Sequence, residues 1–390
     1  MQTPGKNLGA MPASAYEILN ALPKDALKNW FAQKEQNSQA FFYSSVDIRN
    51  FGHKIAPVDT NIFPAGWNNL SATAAEKAAK TTKEYFAKFY PAAKSVAILA
   101  ENFSRNQFYW NNIAALKSII ENADLTVKVY VDDAETAATL NIGKTDYNFA
   151  EDVIIINRDF TSGSPDALRN NSKPVIPPPS MGWYRRKKSI HFESYNKIAS
   201  EFANAFGIDS WLISSYHSNC GKVNFKEKQG LECVAVNIEK TLAKIRIKYA
   251  EYNISSPPYV FVKSNTGTFG MGIMTATSGN DVLEMNKKLR NKMDTIKEGV
   301  QSTEVIIQEG IPTIDKVDGK TAEPFVYLIG AMPVGAILRI NPTRDEFGNL
   351  NSSGMEFQTT ECSEIAGACE LSPYGIIARL ANLATLQEKY

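Results

Sequence analysis

An α/β N-terminal domain with a mostly parallel sheet, followed by an α+β module, is the fold class this sequence predicts. Through the first half of the chain, short apolar runs alternate with helix-periodic segments, the pattern of strands joined by helical crossovers. Between residues 236 and 342 the order changes to helix, glycine-interrupted hairpin, helix, strand and hairpin. A chain of 390 residues also exceeds what one hydrophobic core usually serves, so two or three domains are expected.

In the first half, "ATAAEKAAKTTKEYFAKF" (72–89) is built from good helix formers. "SVAILA" (95–100) is an apolar run of strand length, and "YWNNIAALKSIIENA" (109–123) spaces its apolar residues helically. "TVKVYVD" (126–132) alternates with period two, and "DVIIIN" (152–157) is another apolar run, ending at the turn-rich "NRDFTSGSP". Ligands of parallel sheets gather on the loops beyond the carboxyl ends of such strands. "VIPPPSMGWYRRKKS" (175–189) is Pro-rich and then basic, a loop or crossover.

In the second half, "VNIEKTLAKIRIKYAEYNIS" (236–255) reads as a helix punctuated by "SSPP". "DVLEMNKKLRNKMDTIKEG" (281–299) predicts another helix, amphipathic and closed by Gly299. "EVIIQEGI" (304–311) is a strand with a polar end, and "PFVYLIGAMPVGAILRINP" (324–342) is two strands about a tight turn. The change of pattern near 220–235 divides the chain into residues 1–225, 226–310 and 311–390.

Composition narrows the function. Hydrophobic residues at 44% and charged residues at 21% describe an ordinary soluble globular protein. With 42 basic and 41 acidic side chains the net charge is +1, which argues against a broad nucleic-acid or anionic-membrane surface. The N-terminus has no signal-peptide core and no 18-residue apolar run follows, so no membrane partner is expected. Cys220, Cys233, Cys362 and Cys369 form no CxxC pair and no disulfide scaffold; free thiols in a reducing cytoplasm are expected. His53, His191 and His217 are too scattered for a zinc site, and His191 alone reads as a structural hydrogen-bonder.

The stretch "YVFVKSNTGTFGMGIMTA" (259–276) runs from an apolar strand through Lys263 and three glycines into a second strand. A loop over a nucleotide needs backbone N–H groups facing phosphate oxygens, which glycine permits, and a strand-end lysine adds a point charge. No Gly-Lys-Ser/Thr follows, so this is not a P-loop, and on its own it reads more readily as a plain hairpin. Its context favours phosphate. Gln308-Glu309 ends an apolar strand, where it would offer a backbone edge to adenine and a carboxylate to ribose. Glu323 precedes the next hairpin as a candidate metal ligand, Arg339 ends it, and Asn349 and Asn351 follow.

Upstream, "SVDIRNFGHKIAPVDTNIFPAGWNNL" (45–70) packs Asp47, Arg49, Lys54, Asp59, Asn61, Asn68 and Asn69 among apolar, glycine and proline residues. Such a set suits a zwitterionic ligand with carboxylates and an amine, and arginine matches a carboxylate through paired N–H bonds. A surface loop with side-chain turns gives the same pattern. Arg105 and Asn106 follow one strand, and Asp159 follows another.

The order strand-end lysine, glycine loop, helix, hinge strand ending in Glu, and hairpin with an arginine resembles the ATP-grasp family over roughly residues 236–360. "KIAPVDTNIFPAGWNNL", Arg105-Asn106, the Asn-x-Asp loop at 157–159, "GWYRRKKSIHF" and "VFVKSNTGTFGMGIM" extend the likeness. With them the chain resembles the proteobacterial glutamate–cysteine ligases of ATP-grasp type. The resemblance implies an ATP-grasp module with Lys263 on the α- and β-phosphates of ATP and Gly267, Thr268, Gly270 and Gly272 in a lid. It implies Gln308 and Glu309 at adenine and ribose, Arg339 on the transferring phosphoryl group, and Lys240 or Lys244 as a second phosphate lysine. Mg²⁺ would lie on Glu323, Asn349 and Asn351, although the family's Glu-x-Asn reads Asn349-Leu350-Asn351 here. The implied activity is ATP-dependent joining of glutamate and cysteine through an acyl phosphate. The residues alone also admit a ligase for another amine, a small-molecule kinase or a non-catalytic nucleotide module, and a homo-oligomer is compatible with all of them.

Overall fold

The computed structural model describes residues 13–36, 38–103, 105–267, 271–294, 296–297, 300–360 and 370–389. A parallel sheet and antiparallel sheets share the chain.

The parallel sheet has the strand order Gly143–Lys144, Thr126–Val131, Ser95–Ala100, Val153–Asn157, Val175–Ile176. Its apolar runs are strands because both faces are covered, and Val96 to Ala100 are all buried. Ser95–Ala100 sits in the middle, with its successor strand on one side and Val153–Asn157 on the other. The loops leaving those two strands therefore part at a switch point and open a crevice.

A second sheet is antiparallel, in the order Glu356–Thr360, Met332–Ile340, Lys320–Ile329, Tyr43–Asn50, Ile55–Asn61, with Lys316–Val317 also pairing on Lys320–Ile329. It joins strands from residues 43–61 to strands from residues 316–360. The polar stretch 45–70 is thus mostly a hairpin, followed by the 3-10 turn Trp67–Asn69. Val46 and Ile48 enter one core cluster, and Asp47 between them points to the other face. Helix Ala72–Phe89, capped by Ser71 Oγ, lies on this sheet. It comes so close that a Cβ on Gly335 would stand 2.6 Å from the Ala74 Cβ, so glycine is required there.

The third sheet runs Ile273–Ala276, Val260–Ser264, Val305–Glu309, His217–Cys220, all antiparallel. Helix Leu231–Glu251 buries Val234, Ile238, Leu242 and Ile245 against it, the spacing of one helical face. Helix Pro373–Thr385 is buried along its whole length, beside helix Lys188–Phe206 and strand Tyr43–Asn50.

Two expectations need correction. The helix expected over 281–299 is two short helices, Asn280–Leu283 and Lys287–Met293. Asn286 accepts from the Leu289 amide at 2.9 Å, a cap that restarts the helix and so interrupts it; Gly299 lies outside the described residues. The second concerns the thiols. Cys220 and Cys233 form a disulfide, because a strand end and the first turn of helix Leu231–Glu251 bring their Cα atoms to 6.4 Å. Cys362 and Cys369 lie outside the described residues.

Candidate active site

One face of the central antiparallel sheet carries a row of charge. The register sets Glu323 opposite Arg339, and Asp47 between Phe325 and Asp59. Arg49 Nε donates to Glu323 Oε2 at 2.8 Å. Arg339 Nη1 donates to Glu323 Oε1 at 2.6 Å and to Asp47 Oδ2 at 2.7 Å. None of the four residues is more than 6% exposed. Arg49 also donates to the carbonyls of Ile311 (3.1 Å) and Gly348 (2.6 Å), which holds the segment bearing Asn349 and Asn351 beside Glu323.

Burial pushes the Asp47 carboxyl up to about 6 against the pull of Arg339, with Asp59 and Glu323 adding to the rise. Glu323 is equally buried, but Arg49 and Arg339 hold it below the usual carboxylate range. Two atoms of the cluster, Asp47 Oδ1 and Arg339 Nε, have no partner among the described residues. Enclosed polar atoms of this kind cost free energy unless a ligand or water satisfies them.

A second group adjoins the first. Lys188 pairs with Asp59, and Lys263 Nζ donates to the Val58 carbonyl at 2.8 Å. Burial pushes Lys263 down to about 8, although Asp59 draws it back up. Asp59 is half-buried, and Lys188 and Lys263 hold it well below the usual carboxylate range. Arg49, Arg339, Lys188 and Lys263 together stand against only Asp47, Asp59 and Glu323. The surplus is positive, which suits a polyanionic ligand.

The glycine loop is anchored to this group. The Lys188 amide donates to the Asn265 carbonyl (2.8 Å) and the Ser189 amide to Asn265 Oδ1 (2.9 Å), so Asn265 caps the helix that carries Lys188. A Cβ on Gly267 would fall 2.3 Å from the Trp183 Nε1, so the backbone lies directly on the indole. The Trp183 amide in turn donates to the Asp159 carbonyl at 2.9 Å. Gly272 has φ +62°; Thr268 and Gly270 lie outside the described residues.

Other expected residues are placed differently. Glu309 does not face open space as a ribose ligand would. Its carboxylate accepts from Lys54 Nζ (2.6 Å), Trp211 Nε1 (3.1 Å) and the Tyr216 amide (2.9 Å), and Lys54 and Glu309 are each 1% exposed. Lys54 is therefore held by Glu309 and by the Trp211 ring, 4.0 Å away. Gln308 is buried, with Nε2 3.3 Å from Ser215 Oγ. Lys240 and Lys244 are exposed on helix Leu231–Glu251, and Lys244 Nζ lies 5.9 Å from the Tyr216 ring centroid. Asn61 is half-buried at a strand end, Asn68 is exposed, and the Asn69 carbonyl accepts from Thr359 Oγ1 at 3.1 Å.

Arg105 and Asn106 sit apart from the charged row, at the crevice of the parallel sheet. Arg105 is exposed, and Asn106 Oδ1 caps helix Gln107–Glu121 by accepting from the Tyr109 amide. Asp159 is buried beyond the neighbouring strand, where Oδ1 accepts from Thr161 Oγ1 at 3.2 Å. Among the described residues, no three His, Cys, Asp or Glu side chains cluster as a metal cage. Trp183, Lys188 and Asn265 are the residues the sequence reading did not single out. The basic run before "SIHF" signalled Lys188 only as one of several charges.

The family GshA, glutamate-cysteine ligase, matches residues 18–389 of the chain. A solved structure of a candidate gamma-glutamylcysteine synthetase from Methylobacillus flagellatus KT is 36% identical, covering 96% of this chain and 95% of that one with a TM-score of 0.85. A glutathione synthetase-like effector from Globodera pallida (11% identity, 87% and 76% covered, TM-score 0.38) and the D-cycloserine synthetase DcsG (12% identity, 74% and 82% covered, TM-score 0.36) align too loosely to carry an argument. No curated protein matches the chain.

Proposed function

The chain belongs to the glutamate–cysteine ligase family, and from that premise we propose how its residues make γ-glutamylcysteine, the first step of glutathione biosynthesis. ATP phosphorylates the γ-carboxylate of L-glutamate, the amine of L-cysteine attacks the acyl phosphate, and phosphate leaves. The observation that carries this reading is the buried charged row, with its positive surplus and its two unpartnered atoms, Asp47 Oδ1 and Arg339 Nε.

Phosphoryl transfer asks a protein mainly for positioning and for positive charge where negative charge develops. Lys263 holds the α- and β-phosphates and Arg339 the transferring group. Lys188 joins them because its partner Asp59 is shared with Lys263. Of the two candidate second lysines we choose Lys244, which lies by Tyr216 and hence by the strand end at Glu309. The loop from Gly267 to Gly272 closes over ATP and keeps water from the acyl phosphate. Arg49 and Asp47 set the glutamate, and the Asp159 loop with Trp183 forms the floor beside it.

The residues also fit a nucleotide-borne Mg²⁺. Glu323, Asn349 and Asn351 are hard oxygen donors held side by side through Arg49, and such an ion needs only one or two protein oxygens. It would supply charge neutralisation on the phosphates. Residues 226–310 and 311–390 would supply most of an ATP-grasp module, whose sheets also take in the hairpin 43–61 and the strand His217–Cys220 from the expected substrate domain 1–225. Dependence on ATP and free amino acids points to the cytoplasm. No helix among the described residues is long and apolar enough to cross a membrane.

The test is ADP release with glutamate alone and then with cysteine or 2-aminobutyrate added. Release should rise steeply only when both amino acids are present. Release indifferent to either one would overturn the ligase reading.

A further inference from the structure

Beyond the charged row, a second enclosed constellation lies on helix Lys188–Phe206. His191 stands one turn after Lys188, so the two share a face of the helix. Its Nδ1 is 2.7 Å from Glu388 Oε1. Glu388 is gripped by Arg186 through two parallel bonds of 2.9 Å, Nε to Oε2 and Nη2 to Oε1. Arg186 Nη1 donates to the Thr60 carbonyl at 2.7 Å, the residue next to Asp59, and its guanidinium lies 4.9 Å from the Trp183 ring. His191 is 2% exposed and the Glu388 side chain fully buried. His191 Nε2 has no partner among the described residues.

A carboxylate on one ring nitrogen fixes the imidazole tautomer and leaves the other nitrogen as an acceptor. Most buried polar side-chain atoms find a hydrogen-bond partner. Here one is left open in an enclosed place, beside Phe192, whose ring lies 5.8 Å from the Lys263 ammonium. Burial pushes the His191 imidazole below its ordinary value, so at neutral pH the ring is uncharged and able to take a proton. The charged groups acting on it are Glu388, Arg186 and Asp59, with His217 nearby across Phe192.

We propose that His191 Nε2 accepts the proton that the cysteine ammonium sheds before it attacks, and that Glu388 is the positioning residue that holds His191 for this task. The proposal rests on the ligase reading above. The ammonium gives one proton to Nε2, and the freed lone pair forms the C–N bond at the acyl carbon. The C–O bond to phosphate breaks, and the second amine proton leaves with the phosphate dianion. The products are amide, hydrogen phosphate and protonated His191, which returns its proton to solvent.

The test uses two acceptors. Hydroxylamine is neutral at pH 7 and attacks an acyl phosphate without needing a base, whereas cysteine arrives as an ammonium. His191→Asn keeps a donor for Glu388 but removes Nε2, while His191→Gln restores a polar group near the Nε2 position. With ATP and glutamate, His191→Asn should form the hydroxamate at a rate within about 2-fold of wild type, yet lose ~100-fold in γ-glutamylcysteine formation, the usual size of a general-base contribution. Glu388→Gln should show the same split with a smaller loss, and His191→Gln, whose amide cannot take up a proton, should lose the dipeptide rate as fully as His191→Asn. Equal losses for both acceptors would mean a structural role and overturn the proposal, as would an unchanged dipeptide rate. A wild-type enzyme that forms dipeptide but no hydroxamate would overturn the acyl-phosphate reading instead. Thermal melts of each variant separate misfolding from either outcome.

Discussion

Two buried ion-pair groups flank the hairpin 43–61, and they differ in one respect. At the Lys54–Glu309 pair no side-chain polar atom is left without a partner: the carboxylate takes three donors, and the ammonium rests on an indole face. In the row of Arg49, Glu323, Arg339 and Asp47, two enclosed atoms go without partners. Both groups are equally hidden from water, so burial does not tell them apart. Satisfaction does. A saturated pair joins the central sheet to the sheet carrying Val305–Glu309, while an unsaturated one has capacity left for a ligand.

The largest effect should come from the unsaturated group and its neighbour. Lys263→Ala and Arg339→Lys should each cost about 10²–10³-fold in kcat, the loss typical of removing one preorganised donor, with the melting temperature nearly kept. Steady-state ligation assays with thermal melts check this. Near-normal turnover in either variant would erase the distinction between the two groups.

The saturated pair should behave in the opposite way. Glu309→Gln leaves the Lys54 ammonium buried and poorly paired, so the fold should lose about 3–5 kcal/mol by urea unfolding. The double change Lys54→Met with Glu309→Leu should regain most of that loss, and kcat in the folded fraction should stay close to wild type. A selective rise in KM for ATP with stability intact would instead restore Glu309 to the ribose.

pH sharpens the comparison further. Lys263 has its pKa lowered on folding, to about 8. Its ammonium is therefore present below that pH and lost as pH rises through it, while the unfolded chain stays protonated. Affinity for ATP should fall as pH climbs past about 8, and the folding penalty of the buried charge should ease over the same rise. In Lys263→Arg the alkaline loss of ATP affinity should vanish; its persistence would move the titration to another group.

The smallest effect belongs to the crevice of the parallel sheet. Asn106→Ala should cost about 1 kcal/mol, as loss of a helix cap, with KM values for both amino acids unchanged. Arg105→Ala should leave stability alone. A rise in one amino-acid KM in either variant would make the crevice a substrate site after all.

Local pattern made much of this architecture legible. The strands at 95–100, 126–131 and 153–157 and the helix at 72–89 follow from runs and periods that neighbouring residues alone define. The glycine loop with Lys263 stood out for the same reason, since a strand end and the glycines after it are contiguous. The helix expected over 281–299 failed because an asparagine can cap as well as continue, and only packing chooses. What Glu309 meets was not legible locally, because its partners, Lys54 and Trp211, lie far away along the chain.

The sequence by itself therefore determined the strands at 95–100, 126–131, 153–157 and 305–309, the hairpin at 320–340, the helices at 72–89, 107–121 and 231–251, the glycine loop and the kinds of charged residue available for a site. Which charges meet was decided only in three dimensions. Asp47 reaches Arg339 through strand register across 292 residues, and Glu388 reaches His191 across 197. Periodicity carries information over a few residues, whereas burial, pairing and an unsatisfied atom are properties of the assembled interior.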